Sequence, residues 1–139
     1  MSGKEIKPTD VELEKIRRRK LSKMMRRLNA PKGIINLKDA TDFETLINRS
    51  RGLPIIIDFW AGWCMPCLYM DPIFESLAKK YEGRMVFTKI DVDKNPATAS
   101  KFMVRSIPTY VIIRDGKEIE RVVGAVGPAL EGYIKKHVS

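Results

Sequence analysis

The six residues 55–60, IIIDFW, constrain this chain more than any other stretch. They form an apolar run without alternation, preceded by the breakers Gly52 and Pro54. That is the pattern of a central strand covered on both faces. Such a strand needs helices above and below it, and the flanking segments supply them. A short strand at 34–37 precedes a helix over 40–48, with Asp39 or Thr41 available as its cap. A helix over 64–81 follows the central run, then the strand MVFTKID, a short helix within 96–102 and the strand TYVIIR. Asp115-Gly116 suits a type I′ turn into a last strand, KEIERVV, and a helix over 128–137 follows. Strands alternating with helices and ending in a hairpin predict an α/β domain of three layers with a central mixed sheet.

Immediately after this run come the only two cysteines, in WCMPC. As a staple the pair is poor: closing a four-residue ring constrains the unfolded chain by roughly 2 kcal/mol, against about 4.7 kcal/mol for a 100-residue loop. The spacing suits exchange instead. Cys64 at the start of a helix and Cys67 three residues on share a face and lie within reach of a disulfide. Unpaired amide hydrogens and the helix dipole favour a thiolate at Cys64, taken as the more exposed of the two. Pro66 fits the first helical turn, where its missing N–H has no partner to lose. Asp58 lies inside the apolar run, where burial raises a carboxyl pKa. It reads either as a group that takes and returns the proton of Cys67 or as a satisfied polar residue at a strand end, with Lys89 on the next strand as a possible partner.

These residues carry a resemblance to the thioredoxin family that covers residues 34–139. The matching pieces are DFWAGWCMPC, Pro72 within the following helix, KIDVDKNP at 89–96, SIPT at 106–109 and VVGA at 122–125. The resemblance implies the thioredoxin fold and a protein-disulfide reductase that works through a Cys64/Cys67 dithiol and a mixed disulfide. It makes Cys64 the attacking thiol, Cys67 the resolving thiol, Asp58 the buried proton carrier and Lys89 its neighbour. It implies a cis bond before Pro108 and a groove for an extended substrate peptide lined by Trp63, Met65, Pro66, Ile107, Pro108, Val123, Gly124 and Ala125. Trp60 matches a tryptophan packed beneath the site, and Pro72 would kink its helix. The implied partners are a thioredoxin reductase and disulfide-containing substrate proteins, with no bound cofactor beyond the redox-active disulfide. Three positions depart from the family pattern: Met65 replaces the usual glycine, Gly62 a frequent charged residue and Leu68 a frequent lysine. The rim is therefore more apolar, while the retained Pro66 places the chain with reducing members.

Charge sets residues 1–33 apart as a basic extension. The chain carries a formal +9, and 11 Lys/Arg against 4 Asp/Glu fall in this segment, leaving the rest nearly neutral. Thr9 and Glu12 form a capping-box pattern opening a helix over 10–28, in which Leu13, Ile16, Leu21, Met24 and Leu28 share a face interrupted by Arg17 and Lys20. NAPKG, 29–33, reads as stop and linker. Three readings stay open: a solvated helix, a docking element for an acidic partner or the domain's own surface, and a contact with nucleic acid or anionic membrane. The last is the least favoured because no aromatic residues interleave with the charges. An alternative function follows, a binding module recruited through this arm.

No apolar run approaches the ~20 residues of a membrane span, and no apolar segment of a secretory signal follows the N-terminal charges. Paired thiols without an export signal point to a reducing, cytoplasmic setting. The absence of glutamine, with four asparagines, leans towards a thermophilic source, while seven methionines lean away. A zinc site is excluded because His137 is the one further candidate ligand of its kind. DVDKN at 91–95 fails as a calcium loop, with Pro96 and Phe102 at the required glycine and glutamate positions.

Overall fold

A computed structural model describes residues 7–138. The elements in chain order are α1 (Asp10–Asn29), β1 (Ile34–Asn36), α2 (Ala40–Ser50), β2 (Ile55–Trp60), α3 (Met65–Lys80), β3 (Val86–Asp91), α4 (Pro96–Lys101), β4 (Thr109–Arg114), β5 (Lys117–Val123) and α5 (Leu130–Lys135), with a 3-10 turn at Gly127–Ala129 before the last helix. The five strands form one sheet in the order β1-β3-β2-β4-β5. β1, β3 and β2 run parallel, while β4 is antiparallel to β2 and β5 to β4. The apolar run is thus the middle strand of a mixed sheet, and its first five residues are buried.

Pleating divides that strand between two cores even though both faces are apolar. Ile56 packs with Met70, Phe74 and Leu77 of α3 and with Leu130 and Ile134 at α5. Ile55, Ile57 and Phe59 turn the other way, into a core shared with Leu46 of α2 and Ala99 of α4. Each large side chain buried in this way stabilises the fold by about 1.5–3 kcal/mol before entropic losses. Asp58 has the parity of Ile56, so it faces α3. In the ladders it stands opposite Lys89 on β3 and Tyr110 on β4, which places all three on one face of the sheet.

Local chemistry fixes the element ends. Asp39, rather than Thr41, caps α2 by accepting the Asp42 N–H at 3.0 Å. The hairpin turn has positive φ at both central residues, 52° at Asp115 and 78° at Gly116, as a type I′ turn requires. α3 runs through Pro72 without a break. Thr9 and Glu12 close the capping box of α1 with bonds of 3.1 and 3.0 Å. α1 buries none of its residues, and Leu21, Met24 and Leu28 are 58–69% exposed. Its apolar stripe therefore does not dock on the sheet domain. Only the end of the helix comes close: a Cβ on Gly83 would lie 3.3 Å from the Arg27 carbonyl oxygen. Among the described residues, no helix is long and apolar enough to cross a membrane.

Candidate active site

The site lies where β2 delivers the chain to α3. Cys64 is the N-cap residue of α3, with extended backbone, and Met65 begins the helix. Cys64 and Cys67 form a disulfide with their Cα atoms 5.2 Å apart. Cys64 Sγ accepts the Cys67 backbone N–H at 3.2 Å, so a helix-start amide already points at this sulfur. An amide donor and the positive end of the helix dipole both favour a thiolate once the disulfide opens.

Exposure differs from the sequence expectation. Cys64 is not the more exposed cysteine; both are 3% exposed. Trp63 and Met65 project outward instead, 69% and 72% exposed, and the sulfurs pack among Ala61, Trp60, Val92 and Ile107. What separates the two cysteines is the opening above them. A cleft of about 640 Å³ is lined by Trp63, Cys64, Met65, Pro66 and Ile107, and it reaches Cys64 but not Cys67.

The opposite wall of the cleft comes from the α4–β4 connection, through Val104, Arg105, Ser106 and Ile107. The Ile107–Pro108 bond is cis, as the resemblance implies. Pro108 itself is buried, and its carbonyl accepts the Gly124 N–H at 2.8 Å. That bond and the Thr109–Val123 register hold Val123, Gly124 and Ala125 beside Pro108. These three residues do not line the cleft itself; they flank it, with Val123 57% exposed. The sequence reading missed Val92, Ala99, Val104 and Arg105 in the lining; for the last three no local signal exists. It also missed Asp93, whose Oδ2 accepts the Trp63 indole N–H at 2.8 Å and steadies that side chain at the rim. Its position in KIDVDKNP was the available clue.

On the face of β2 that looks toward α3, Asp58 is 2% exposed and its Oδ1 has no hydrogen-bond partner. Desolvation by burial drives its pKa from 3.8 up to about 7, moderated by the positive charge of Lys89 and reinforced by Asp71. Lys89 does not bond to Asp58. Its Nζ donates to Asp71 Oδ1 at 2.9 Å and lies 4.7 Å from the centre of the Trp60 ring. The reason is geometric: α3 carries Asp71 over the sheet, one turn beyond Cys67, where a partly exposed carboxylate is cheaper to ionise than a buried one. Tyr110, across from Asp58, also has a buried hydroxyl without a partner, and burial pushes its phenol far up. Neither Asp71 nor Tyr110 was singled out from sequence, although the i, i+4 spacing of Cys67 and Asp71 was a signal. Among the described residues no group of three or more His, Cys, Asp or Glu is placed to hold a metal ion.

A cysteine pair at a helix start, opening onto a cleft beside a cis proline, on a mixed sheet with two helical layers, defines a thiol–disulfide oxidoreductase domain. The family model for thioredoxin matches residues 34–136, and the chain belongs to the thioredoxin family. It is similar to the thioredoxin of Staphylococcus aureus, 44% identical over 91 residues, which cover 66% of this chain and 84% of that protein. The thioredoxin of Porphyra purpurea is 36% identical over 107 residues, covering 76% and 98%. Among solved structures, Fasciola hepatica thioredoxin superposes with a TM-score of 0.71 at 43% identity, covering 74% of this chain and 98% of that one. The family acts through its own cysteine pair on protein disulfides, and it implies a thioredoxin reductase as electron donor.

Proposed function

We propose that Cys64 is the attacking thiol of a protein-disulfide reductase and Cys67 the resolving one. The observation that carries this assignment is the cleft, whose lining includes Cys64 and not Cys67. In the dithiol form, the Cys64 thiolate attacks one sulfur of a substrate disulfide. The Cys64–substrate S–S bond forms, the substrate S–S bond breaks, and the released thiolate takes a proton from solvent. Cys67 then loses its proton to the Asp58 carboxylate and attacks Cys64 Sγ. The Cys64–Cys67 disulfide closes, and the second substrate thiolate leaves. Two electrons have passed to the substrate, and thioredoxin reductase returns them to the cysteine pair.

Asp58 suits the proton step because its pKa of about 7 leaves both protonation states populated near neutral pH. Lys89 acts on it at a distance, lowering that pKa while bonded to Asp71. The substrate backbone lies along Ile107, Pro108 and the edge at Val123, Gly124 and Ala125, with Trp63, Met65 and Pro66 on the facing wall. The exposed Met65, Leu68 and Tyr69 favour apolar residues beside the target cystine. A reducing compartment such as the cytoplasm suits this cycle.

The test is insulin-disulfide reduction. Cys64→Ser should abolish turnover, and Cys67→Ser should accumulate a mixed disulfide that thiol reagents release. Trapping through Cys67 in the Cys64→Ser protein would reverse the assignment.

A further inference from the structure

The end of the sheet opposite the disulfide carries a second concave site. The segment 52–54, just before β2, forms its floor, and a pocket of about 90 Å³ opens there. Its polar walls come from four parts of the chain: Lys23, Arg26 and Arg27 of α1, Arg84 before β3, Arg114 at the end of β4, and His137 beyond α5. No Asp or Glu is among the described residues of the lining. Two carboxylates border it: Glu120 faces His137 Nε2 at 3.4 Å, and Asp115 Oδ1 would lie 4.0 Å from a Cβ on Gly52.

Helix-dipole complementarity accounts for Arg26 and Arg27 in the last turn of α1. It does not account for Arg84 and Arg114, which converge on the same space from two strand ends. Both are held in place by the backbone: Arg114 Nη2 donates to the His137 carbonyl at 2.7 Å and Arg84 Nη2 to the Lys80 carbonyl at 3.2 Å. A guanidinium has five N–H donors, so one such bond orients the group and leaves its fork for a ligand. Gly52, with φ +83°, has no side chain to fill the floor; a Cβ there would sit 3.7 Å from Arg26 Nη1. Like charges gathered around a hollow repel one another, and an anion inside reverses the sign of that interaction.

We propose that this pocket binds a small multivalent phosphate. At about 90 Å³ the hollow admits a phosphoryl group and is too small for a nucleoside. Arg27 aside, the four cationic side chains of Lys23, Arg26, Arg84 and Arg114 exceed what a single dianion neutralises, so a chain of linked phosphates is the better match than one. A nucleic-acid strand is a poor fit, because the pocket is closed on several sides and its described lining has no Phe, Tyr or Trp for base stacking. The bound anion ties the end of α1 to the sheet domain and leaves the cleft at Cys64 untouched.

The experiment is calorimetric titration of the oxidised full-length protein with inorganic pyrophosphate at low salt, with ATP in parallel. One-to-one saturable binding of pyrophosphate is expected. Arg84→Gln and Arg114→Gln should each weaken it about tenfold, the loss of one charge-assisted contact. Lys23→Gln, on the exposed helix where folding is not at stake, should weaken it severalfold. Arg18→Gln, on the same helix but outside the pocket, should leave it unchanged. Equal affinity for ATP means that the site reads the phosphate chain with the nucleoside outside, and weaker ATP binding means that it takes the free anion; both support the pocket. Absence of saturable pyrophosphate binding overturns the proposal. So does an equal loss in Arg18→Gln, or binding of a single-stranded oligonucleotide that depends on Arg18 and ignores Arg84 and Arg114.

Discussion

Replacing Asp58 with asparagine should favour the oxidised protein far more at neutral and alkaline pH than in acid. The carboxyl is buried, and its pKa rises from 3.8 to about 7 on folding. A raised folded pKa means that the native state binds more protons than the unfolded chain between those values. Stability contributed by the protonated carboxyl is therefore complete below about pH 4, falls as pH climbs to about 7, and is flat above. The gap corresponds to about 4 kcal/mol of ionisation penalty in the wild type. The substituted side chain carries no such penalty, but its buried amide adds a pH-independent cost of about 1–3 kcal/mol if it finds no acceptor. The discriminating quantity is thus the change in the difference between the two proteins, not its size at one pH. Urea unfolding of oxidised wild type and Asp58→Asn at steps from about pH 4 to about pH 8.5 measures it, since the disulfide removes the thiols from the titration. The difference should grow by about 4 kcal/mol over that range, with its midpoint between the folded and unfolded pKa values. A difference that stays flat with pH would refute the claim that Asp58 enters the fold as a strongly perturbed acid, and with it the proton step assigned to it.

Lys89→Met should raise the Asp58 pKa above about 7, because it removes the one charge that lowers it and leaves the Asp71 carboxylate uncompensated. The same unfolding series would show the inflection displaced to higher pH, and an unmoved inflection would count against the coupling. Deleting residues 1–28 should cost about 1 kcal/mol or less, since α1 buries none of its residues, and should leave insulin reduction intact. Melting curves and the turnover assay check both halves. A collapse of stability would show that the contact at Gly83 matters far more than its extent indicates.

Much of the fold was legible because the deciding information was local. An apolar run too uniform to have a solvent face had to be a central strand, and Ile55–Trp60 is the middle of five. Thr9 with Glu12 starts α1 through bonds spanning three residues, so sequence spacing suffices, and it narrows the start of α2 to Asp39 or Thr41. Asp115-Gly116 turns the hairpin because those two residues tolerate positive φ. The cysteine pair declared itself in the same way, since three residues at a helix start fix the distance between the two sulfurs within narrow limits.

Whatever depended on distant segments meeting was decided only by the tertiary structure. The register placed Lys89 directly opposite Asp58, and its place on the neighbouring strand made them look like a pair. Yet Lys89 bonds to Asp71, because a helix crossing the sheet brings a better-solvated carboxylate within reach of a long, flexible side chain. The burial of Cys64 follows from packing against Val92 and Ile107, which arrive from beyond β3 and before β4. The apolar stripe of α1 is readable in sequence, and its interruption by Arg17 and Lys20 implies modest burial, but that none of its residues is buried is not readable there. Periodicity states which side chains share a face; whether a surface of matching shape exists elsewhere in the molecule is a property of the packed chain alone.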